Sequence, residues 1–255
     1  MNFKKIILFA IAVCTCFYIT ACTQKDEDNL TTYSSSTNSS ISKVDEQKTT
    51  VEKTTTVEET TEVEKQINLT NEYTTRFGDE NAITYPKFIF DYPDNWKVVQ
   101  EEVTQLSELV TLENGNGANV TFLYNSGKIE SGGSSINMAR VDIIKETSSQ
   151  FIPTSVQATD YSDLGEFMVA KLKTTGILNM KTDSDYTDVD GGVSYAVLPL
   201  SEQGTRENVR KDTNSEFSFW YAGTLSFTGA DTEENFTDEE QREVIAILNS
   251  FRVKQ

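Results

Sequence analysis

The fold of this chain is decided between residues 88 and 96, which read Phe88-Ile-Phe-Asp-Tyr92-Pro-Asp-Asn-Trp96. In residues 87–92 the aromatic side chains occupy every second position, which is the period of a β-strand with one buried face. The Pro-Asp-Asn stretch that follows supplies residues typical of a turn. Residues 96–100 then predict a return strand, so the globular part of the chain begins with a pair of β-strands.

Further strand-like runs separated by turn residues continue toward the C-terminus. Asn114-Gly-Asn-Gly117 lies between two apolar runs and predicts a hairpin. One helix is expected over residues 162–173, after the turn-like sequence Ser162-Asp-Leu-Gly165. The other predicted strands cover residues 106–112, 119–124, 136–145, 177–181, 193–200 and 216–227.

The strongest helix signal is near the end of the chain. Thr237-Asp-Glu-Glu240 fits a capping box, in which the Thr hydroxyl and the Glu carboxylate each accept a backbone N–H bond. Three acidic residues in the first turn also suit the positive end of the helix dipole. An apolar stripe then follows at helical spacing and predicts packing onto a sheet: Val244, Ile245, Ile247, Leu248 and Phe251.

Two stretches resemble the start and the end of PsbP/Mog1-like domains. They are Phe90-Asp-Tyr-Pro-Asp-Asn-Trp96 and Ile247-Leu-Asn-Ser-Phe251. The resemblance implies an α+β domain over residues 68–255, with an antiparallel β-sheet flanked by helices in an α/β/α sandwich. Residues 126–214 carry no motif of the family. The resemblance implies no particular function, because domains of one fold serve many functions.

The N-terminus has the layout of a signal peptide. Lys4 and Lys5 precede an uncharged, mostly apolar run over residues 6–21, which is shorter than the roughly 20 residues of a membrane-spanning helix. The run ends in Ile19-Thr-Ala-Cys22, which resembles the lipobox of bacterial lipoproteins. The resemblance implies cleavage after Ala21 and lipidation of Cys22, with palmitate among the acyl chains. An ordinary signal peptide followed by an unrelated cysteine is the alternative.

These features predict three segments. Residues 1–21 are a lipoprotein signal peptide, residues 22–67 a linker, and residues 68–255 a globular domain. The linker is rich in Thr, Ser and Glu and is expected to be disordered, because it cannot bury enough apolar surface to offset its ordering entropy. It would hold the domain away from the extracytoplasmic face of the cell membrane.

Composition narrows the function. The full chain carries a formal charge of −18, and removal of residues 1–21 would leave 20 of its 22 basic residues against all 40 acidic ones. Such a surface repels nucleic acid. Cys22 would be the only cysteine left, and the chain has no histidine at all. These absences exclude an intramolecular disulfide, a cysteine metal cluster and histidine-based catalysis.

Three motifs invite a chemical interpretation, and each has a simpler one. The acidic stretch Asp183–Gly191 could bind calcium, but its spacing is wrong for an EF-hand and favours a solvated turn. Gly132-Gly133 lacks the remainder of a phosphate-binding loop. Ser40-Ile-Ser-Lys43 matches the S-x-x-K pattern of acyl enzymes by chance, since the predicted linker offers no oxyanion hole.

Two residue types also have a functional alternative. The tyrosines could stack on a carbohydrate or peptide, although they are more simply residues at the edge of the core: Tyr73, Tyr85, Tyr92, Tyr161, Tyr186, Tyr195 and Tyr221. The pairs Glu101-Glu102 and Glu233-Glu234 are most simply surface charge. No catalytic, cofactor-binding or metal-binding residue is assigned.

The sequence therefore favours a non-enzymatic, lipid-anchored binding or accessory module, with an extracytoplasmic protein or peptide as its partner. The alternative is a carboxylate-based hydrolase of cell-wall glycans, which needs two acidic side chains about 5–10 Å apart across a cleft. A cleft with one carboxyl group of raised pKa would favour the enzyme. An apolar patch on a sheet face would favour the binding module.

Overall fold

A computed structural model of the chain describes residues 66–127, 137–210, 216–231 and 236–254. The predicted signal peptide, Cys22, Ser40, Lys43 and most of the predicted linker lie outside these ranges, as do the glycine pair at 132–133 and the Glu233-Glu234 pair. Within the described residues, no helix combines the length and the apolar character that crossing a bilayer requires.

The described chain is mainly antiparallel β-structure. Its strands are β1 (Asn71–Thr74), β2 (Phe88–Tyr92), β3 (Lys97–Val103), β4 (Ser107–Glu113), β5 (Ala118–Asn125), β6 (Asn137–Ser148), β7 (Phe167–Asn179), β8 (Thr187–Asp188), β9 (Val193–Pro199), β10 (Gly204–Arg210), β11 (Phe219–Trp220), β12 (Thr224–Asp231) and β13 (Arg252–Val253). The α-helices are α1 (Phe77–Glu80) and α2 (Asp238–Asn249), and short 3₁₀ turns cover Ser162–Leu164 and Leu200–Glu202.

The strands form two sheets. The large sheet has the order β10-β6-β7-β9-β12-β5-β4-β3, with β8 added to β7 and β11 added to β12. The small sheet has the order β1-β2-β13. The predicted hairpin at Asn114–Gly117 is confirmed, since β4 and β5 pair across it. The predicted return strand exists as β3, but it pairs with β4 in the large sheet, so the turn after β2 connects the two sheets.

The main core lies between one face of the large sheet, which we call the first face, and a layer made of the small sheet and α2. The opposite face is called the second face. Aromatic rings fill it, and the ring of Phe251 lies 5.2 Å from that of Phe88, 5.1 Å from that of Phe151 and 4.9 Å from that of Phe227. Helix α2 approaches β12 closely at Gly229, where an added Cβ would lie 2.3 Å from Val244 Cγ1. A side chain at residue 229 would therefore push the helix off the sheet.

The expected α+β domain with an α/β/α sandwich is wrong, because the described chain has a β-rich fold. About half of the described residues lie in strands and 13% in helices, and there are only two α-helices, of four and twelve residues. Only α2 forms part of a layer, and it shares that layer with the small sheet. The antiparallel sheet was predicted correctly, but the flanking helical layers that the resemblance implied are absent from the described residues, and the one internal run expected to be a helix belongs mostly to the central strand β7.

The predicted helix at 162–173 shows this error most clearly. The chain makes a single 3₁₀ turn at Ser162–Leu164 and leaves it through Gly165, whose φ of 72° interrupts the helical backbone. Strand β7 then begins at Phe167. Its first four residues are all buried, since this end of β7 is covered on both faces. A strand buried on both sides has no period-two alternation, so its sequence is easily mistaken for a helix.

The second face of the large sheet is covered only in part. Small and aliphatic side chains of β6, β7, β9 and β10 form a separate buried cluster, against which Leu200 and Phe217 pack. Toward β12, β5 and β4 this face carries half-buried polar residues instead, including Thr228, Thr121 and Thr111. No described helix lies over them.

Candidate functional site

The candidate site lies beside α2, and the sequence of α2 explains how the helix is held in place. At its N-terminus the amide of Glu240 donates to Thr237 Oγ1 over 3.2 Å, and the amide of Thr237 donates to Glu240 Oε2 over 2.9 Å. The predicted capping box is thus confirmed. Asn114 Nδ2 donates to Glu240 Oε1 over 2.9 Å. These hydrogen bonds to the charged form lower the pKa of Glu240.

The middle of α2 is fastened to the turn after β2. Trp96 Nε1 donates to Glu243 Oε2 over 2.8 Å, and Asn95 Nδ2 donates to Glu243 Oε1 over 3.0 Å. Trp96 is only 1% exposed. The C-terminal end is fastened through Ser250, whose Oγ accepts from the Asp91 amide over 2.7 Å. The outer face of α2 is therefore a fixed wall.

A groove of about 760 Å³ runs along this wall. We call it the helix groove. Its other sides are the segment that leads into β1, the end of β6 and the start of β13. Its lining residues are Gln66, Ile67, Leu69, Asp91, Glu146, Thr147, Gln150, Arg242, Ile245, Ala246, Asn249, Ser250 and Arg252.

The side chain of Asn249 is the unusual feature of the helix groove. Its Oδ1 is buried and has no hydrogen-bond partner. A buried polar atom without a partner costs about 1–3 kcal/mol, and such groups are rare in folded proteins. Asn249 therefore offers an unused acceptor in the wall of a cavity, next to the apolar side chains of Ile245 and Ala246.

The charges around the helix groove fall into two kinds. Arg252 is fully engaged: it donates to both carboxylate oxygens of Asp91, at 2.9 and 3.2 Å, and to the carbonyl oxygen of Ser250. Arg242 donates through Nε to the Asp238 carbonyl, and its guanidinium forms no ion pair among the described residues. Glu146 likewise has no ion-pair partner there. The groove thus presents one cation and one anion that are open to a ligand.

A second cavity lies on the opposite face of the large sheet. We call it the second-face cavity; its volume is about 270 Å³. It is formed where the covered and open parts of that face meet. Its lining residues are Asn119, Thr121, Ala139, Val141, Leu172, Thr174, Gly192, Val193, Ser194, Tyr195, Val209, Arg210, Phe217, Thr228, Gly229, Ala230 and Asp231.

The acidic stretch Asp183–Gly191 does not gather its carboxylates. Asp188 pairs with Arg140, and Asp190 Oδ1 lies 2.8 Å from Lys173 Nζ. Asp183 caps the preceding turn by accepting from the Asn179 amide over 3.0 Å. Among the described residues, no group of three or more carboxylate, histidine or cysteine side chains is placed to hold a metal ion.

The tyrosines are mostly core residues. Four of the seven named from the sequence are buried, namely Tyr73, Tyr85, Tyr195 and Tyr221. Tyr195 is the only one of the seven that lines either cavity, and its hydroxyl donates away from the sheet to Gln241 over 2.9 Å. Burial raises the pKa of Tyr195 to about 12. The structure gives these rings packing roles and brings none of them together as a stacking platform.

Two carboxylates do come close together. Tyr73 Oη donates to Glu101 Oε1 over 2.6 Å and lies 3.4 Å from Glu108 Oε1. Burial raises the pKa of Glu108, although backbone N–H bonds act in the opposite direction. Glu108 is completely buried, and it accepts from the amides of Arg76 and Phe77 at the start of α1. Glu108 therefore holds the start of α1 in the core, and neither carboxylate lines the helix groove or the second-face cavity.

Comparisons with protein-family models, with curated proteins and with solved structures each gave no match. The assignment of the helix groove as the candidate site therefore depends on its geometry alone. Sequence reasoning missed Asn249, because an asparagine in an amphipathic helix looks like any half-buried polar residue. It also missed the second-face cavity, whose lining comes from six strands. No local sequence signal could have found either of them.

Proposed function

We propose that the protein is a non-enzymatic, lipid-anchored module that binds an extended peptide segment of an extracytoplasmic partner in the helix groove. The buried, unpaired Oδ1 of Asn249 carries this proposal. A primary amide both donates and accepts hydrogen bonds, so it can pair with the N–H and C=O of a peptide backbone. Such pairing would remove the cost of the unsatisfied acceptor.

The rest of the helix groove supports the same kind of ligand. Its floor is apolar at Leu69, Ile245 and Ala246, which suits an aliphatic side chain of the peptide. Arg242 and Glu146 provide charges of opposite sign for polar side chains. Since α2 is fixed at both ends and in its middle, little of the binding free energy would be lost in ordering the site.

The lipid anchor is a separate part of the proposal and rests on the lipobox-like sequence ending at Cys22. A Cys22→Ser variant should escape lipidation and leave the membrane fraction, or remain as unprocessed precursor. Mass spectrometry of the wild-type protein from detergent extracts should find acyl chains on Cys22. Wild-type protein with an unmodified Cys22 would refute the anchor and leave the binding proposal intact.

The groove itself can be tested with displayed peptides. Random peptides selected on the immobilised wild-type protein should bind less well to Ala246→Trp, which fills the floor of the helix groove. Ser201→Trp is the matched control, because Ser201 is exposed and lies outside both cavities. Equal binding to Ala246→Trp and to the wild type would show that the helix groove is not the site.

The hydrolase alternative gains no specific support from the structure. Burial raises the pKa of Glu108, but its carboxylate is already occupied by the backbone amides of Arg76 and Phe77. Neither Glu108 nor Glu101 lines the helix groove or the second-face cavity. Glu108 would need a large rearrangement of β4 and α1 before it could reach a substrate.

A further inference from the structure

The second face of the large sheet carries a row of hydroxyl groups that ends in the second-face cavity. Thr111 lies opposite Thr121 in the register of β4 and β5, and Thr121 lies opposite Thr228 in the register of β5 and β12. Thr228 lies opposite Ala196 of β9, two residues from Ser194. We call Thr111, Thr121, Thr228 and Ser194 the hydroxyl ladder.

Two of these hydroxyl groups are unused by the protein. Thr111 Oγ1 and Thr121 Oγ1 lie 3.3 Å apart and can bond to each other. The hydroxyls of Thr228 and Ser194 make no hydrogen bond to a described residue, and both residues are half-buried. The hydroxyl of Thr174, on the neighbouring strand β7, also makes no hydrogen bond to a described residue. A hydroxyl group can donate one hydrogen bond and accept two, so the cavity offers several open positions to a polar ligand.

The charge of Arg210, which lines the cavity, is balanced by a carboxylate of the protein. Arg210 donates to Glu216 over 2.7 Å, and both side chains are largely buried. Asp231 also has an interaction of its own. The remaining wall is apolar and is formed by Val141, Val209 and Phe217. Beside the Arg210–Glu216 ion pair, the site thus combines neutral hydroxyl groups with an apolar surface.

The available groups also distinguish a sugar from a peptide strand. Thr121 and Thr228 are each paired with a strand on both sides, so their backbone groups are not free to add another strand. The side-chain hydroxyl groups of Thr228 and Ser194 suit ligand hydroxyls. A volume of about 270 Å³ is smaller than the roughly 300–1,000 Å³ of drug-sized pockets. It therefore suits a single ring with its substituents.

We infer that the second-face cavity holds one unit of a neutral oligosaccharide, whose neighbouring units lie along the hydroxyl ladder. This site goes beyond the proposed peptide-binding function and does not depend on it. The helix groove lies on the first-face side of the sheet and the ladder on the second face, so each site can be altered without touching the other.

The test compares three trisaccharides that differ in charge. The neutral probe is the trimer of N-acetylglucosamine, the cationic one is its deacetylated form, and the anionic one is trigalacturonate. Each is titrated into isotope-labelled protein at physiological ionic strength and followed by backbone amide chemical shifts. Calorimetry with the neutral trimer gives the affinity. We expect only the neutral trimer to shift the amides of Thr121, Ser194 and Thr228.

Variants locate the binding. Thr228→Val and Ser194→Ala keep the shape of the cavity and remove one hydroxyl each, so each should weaken binding of the neutral trimer about three- to tenfold. Thr187→Val, on exposed β8, is the matched control and should bind like the wild type. Ala246→Trp should also bind the trimer normally.

Three results would overturn the inference: no cavity shifts with the neutral trimer, equal cavity shifts with a charged trimer, or unchanged affinity in Thr228→Val and Ser194→Ala. These results are independent of the displayed-peptide experiment. Loss of peptide binding in Ala246→Trp with no trimer binding would leave the helix groove as the only site. Trimer binding without any effect of Ala246→Trp on peptides would leave the second-face cavity as the only site.

Discussion

At the scale of single residues, Phe251 shows how much of the core depends on one ring. It is fully buried and contacts rings from β2, from β12 and from the loop after β6. Phe251→Ala should therefore lower the free energy of unfolding by about 3–5 kcal/mol. Urea titration measures the change. Ile152→Ala is the control, because Ile152 is 72% exposed and its loss should cost less than about 0.5 kcal/mol.

The ring contacts of Phe251 predict that its role is structural, and this prediction can be tested. If Phe251→Ala kept the urea midpoint of the wild type while losing a ligand of the helix groove, Phe251 would be a recognition residue. The assignment of Phe251 to the centre of the core would then be wrong.

Glu108 shows that a buried charge can be structural. Its carboxylate accepts from the Arg76 amide at 2.9 and 3.0 Å and from the Phe77 amide at 2.8 Å. Glu108→Ala should cost about 2–5 kcal/mol, because the buried Phe77 N–H loses its acceptor at about 1–3 kcal/mol and the part-buried Arg76 N–H at somewhat less. Thermal unfolding measures the loss. Glu108→Gln keeps one acceptor oxygen and should lose less; equal loss in the two variants would contradict the capping role.

At the scale of elements, the start of α2 combines a cap with a titrating group. Thr237→Ala removes the hydroxyl that accepts from the Glu240 amide and should cost about 1 kcal/mol. This cost is smaller than that of Phe251→Ala, since the helix remains packed by its apolar stripe. A loss equal to that of Phe251→Ala in the same urea titration would mean that the cap, and not packing, maintains α2.

The same cap should give the protein a pH dependence. The pKa of Glu240 is lower in the folded protein than its ordinary value of 4.5, because hydrogen bonds from Thr237 and Asn114 favour the charged form. The stabilisation is therefore present above pH 4.5 and is lost as the pH falls through the lower, folded value. In urea titrations at a series of pH values, Glu240→Gln should lose stability relative to the wild type at neutral pH, and the gap should narrow in acid. A gap that widens in acid would contradict this sign.

The elements also show what the sequence could and could not predict. Local signals sufficed for the hairpin at Asn114–Gly117, for the capping box at Thr237 and for most strand positions. They failed at Phe167, where burial on both faces removed the alternation that identifies a strand. They also failed for 216–227, expected as one strand, which Gly223 interrupts with a φ of 151° between β11 and β12.

The candidate sites were less predictable than the elements. Asn249 Oδ1 has no partner among the described residues, and the groups that surround it are set by packing of the whole core. The hydroxyl ladder arises from the register of four strands, including β9 and β12, which are separated in sequence by β10 and β11. Pairings of this kind are decided by tertiary contacts, which no window of sequence contains.

At the scale of the whole molecule, both edges of the large sheet are irregular. Strand β3 shifts register between Val98 and Gln100, and β10 shifts between Arg206 and Val209, where Asn208 has a φ of 58°. Bulges and charged residues at an edge hinder pairing with another sheet. The edges thus oppose association independently of the net charge.

These irregular edges predict a monomer even when charge repulsion is removed. The protein carries a formal charge of −18, which would also keep copies apart at low salt. In about 1 M salt the screening length falls to roughly 3 Å, so only the edge geometry remains. Sedimentation equilibrium should therefore report a monomer at both salt concentrations. A dimer that forms only in high salt would show that charge, not the bulged edges, prevents association.

The small sheet has a further consequence for mechanical load. Strands β1 and β13 flank β2, and both run antiparallel to it. The chain enters β1 at the Tyr92 end of β2 and leaves β13 toward the Phe88 end, where the Lys254 amide bonds to the Lys87 carbonyl. A pull from Gln66 against Lys254 would load all the hydrogen bonds of the small sheet in shear at once. A pull between Gln66 and Asp94 would instead peel β1 away one bond at a time, so an optical trap should find a lower rupture force in that geometry. Equal forces would mean that the small sheet does not bear the load, whereas the expected difference would make this sheet the part of the domain that resists traction along the chain.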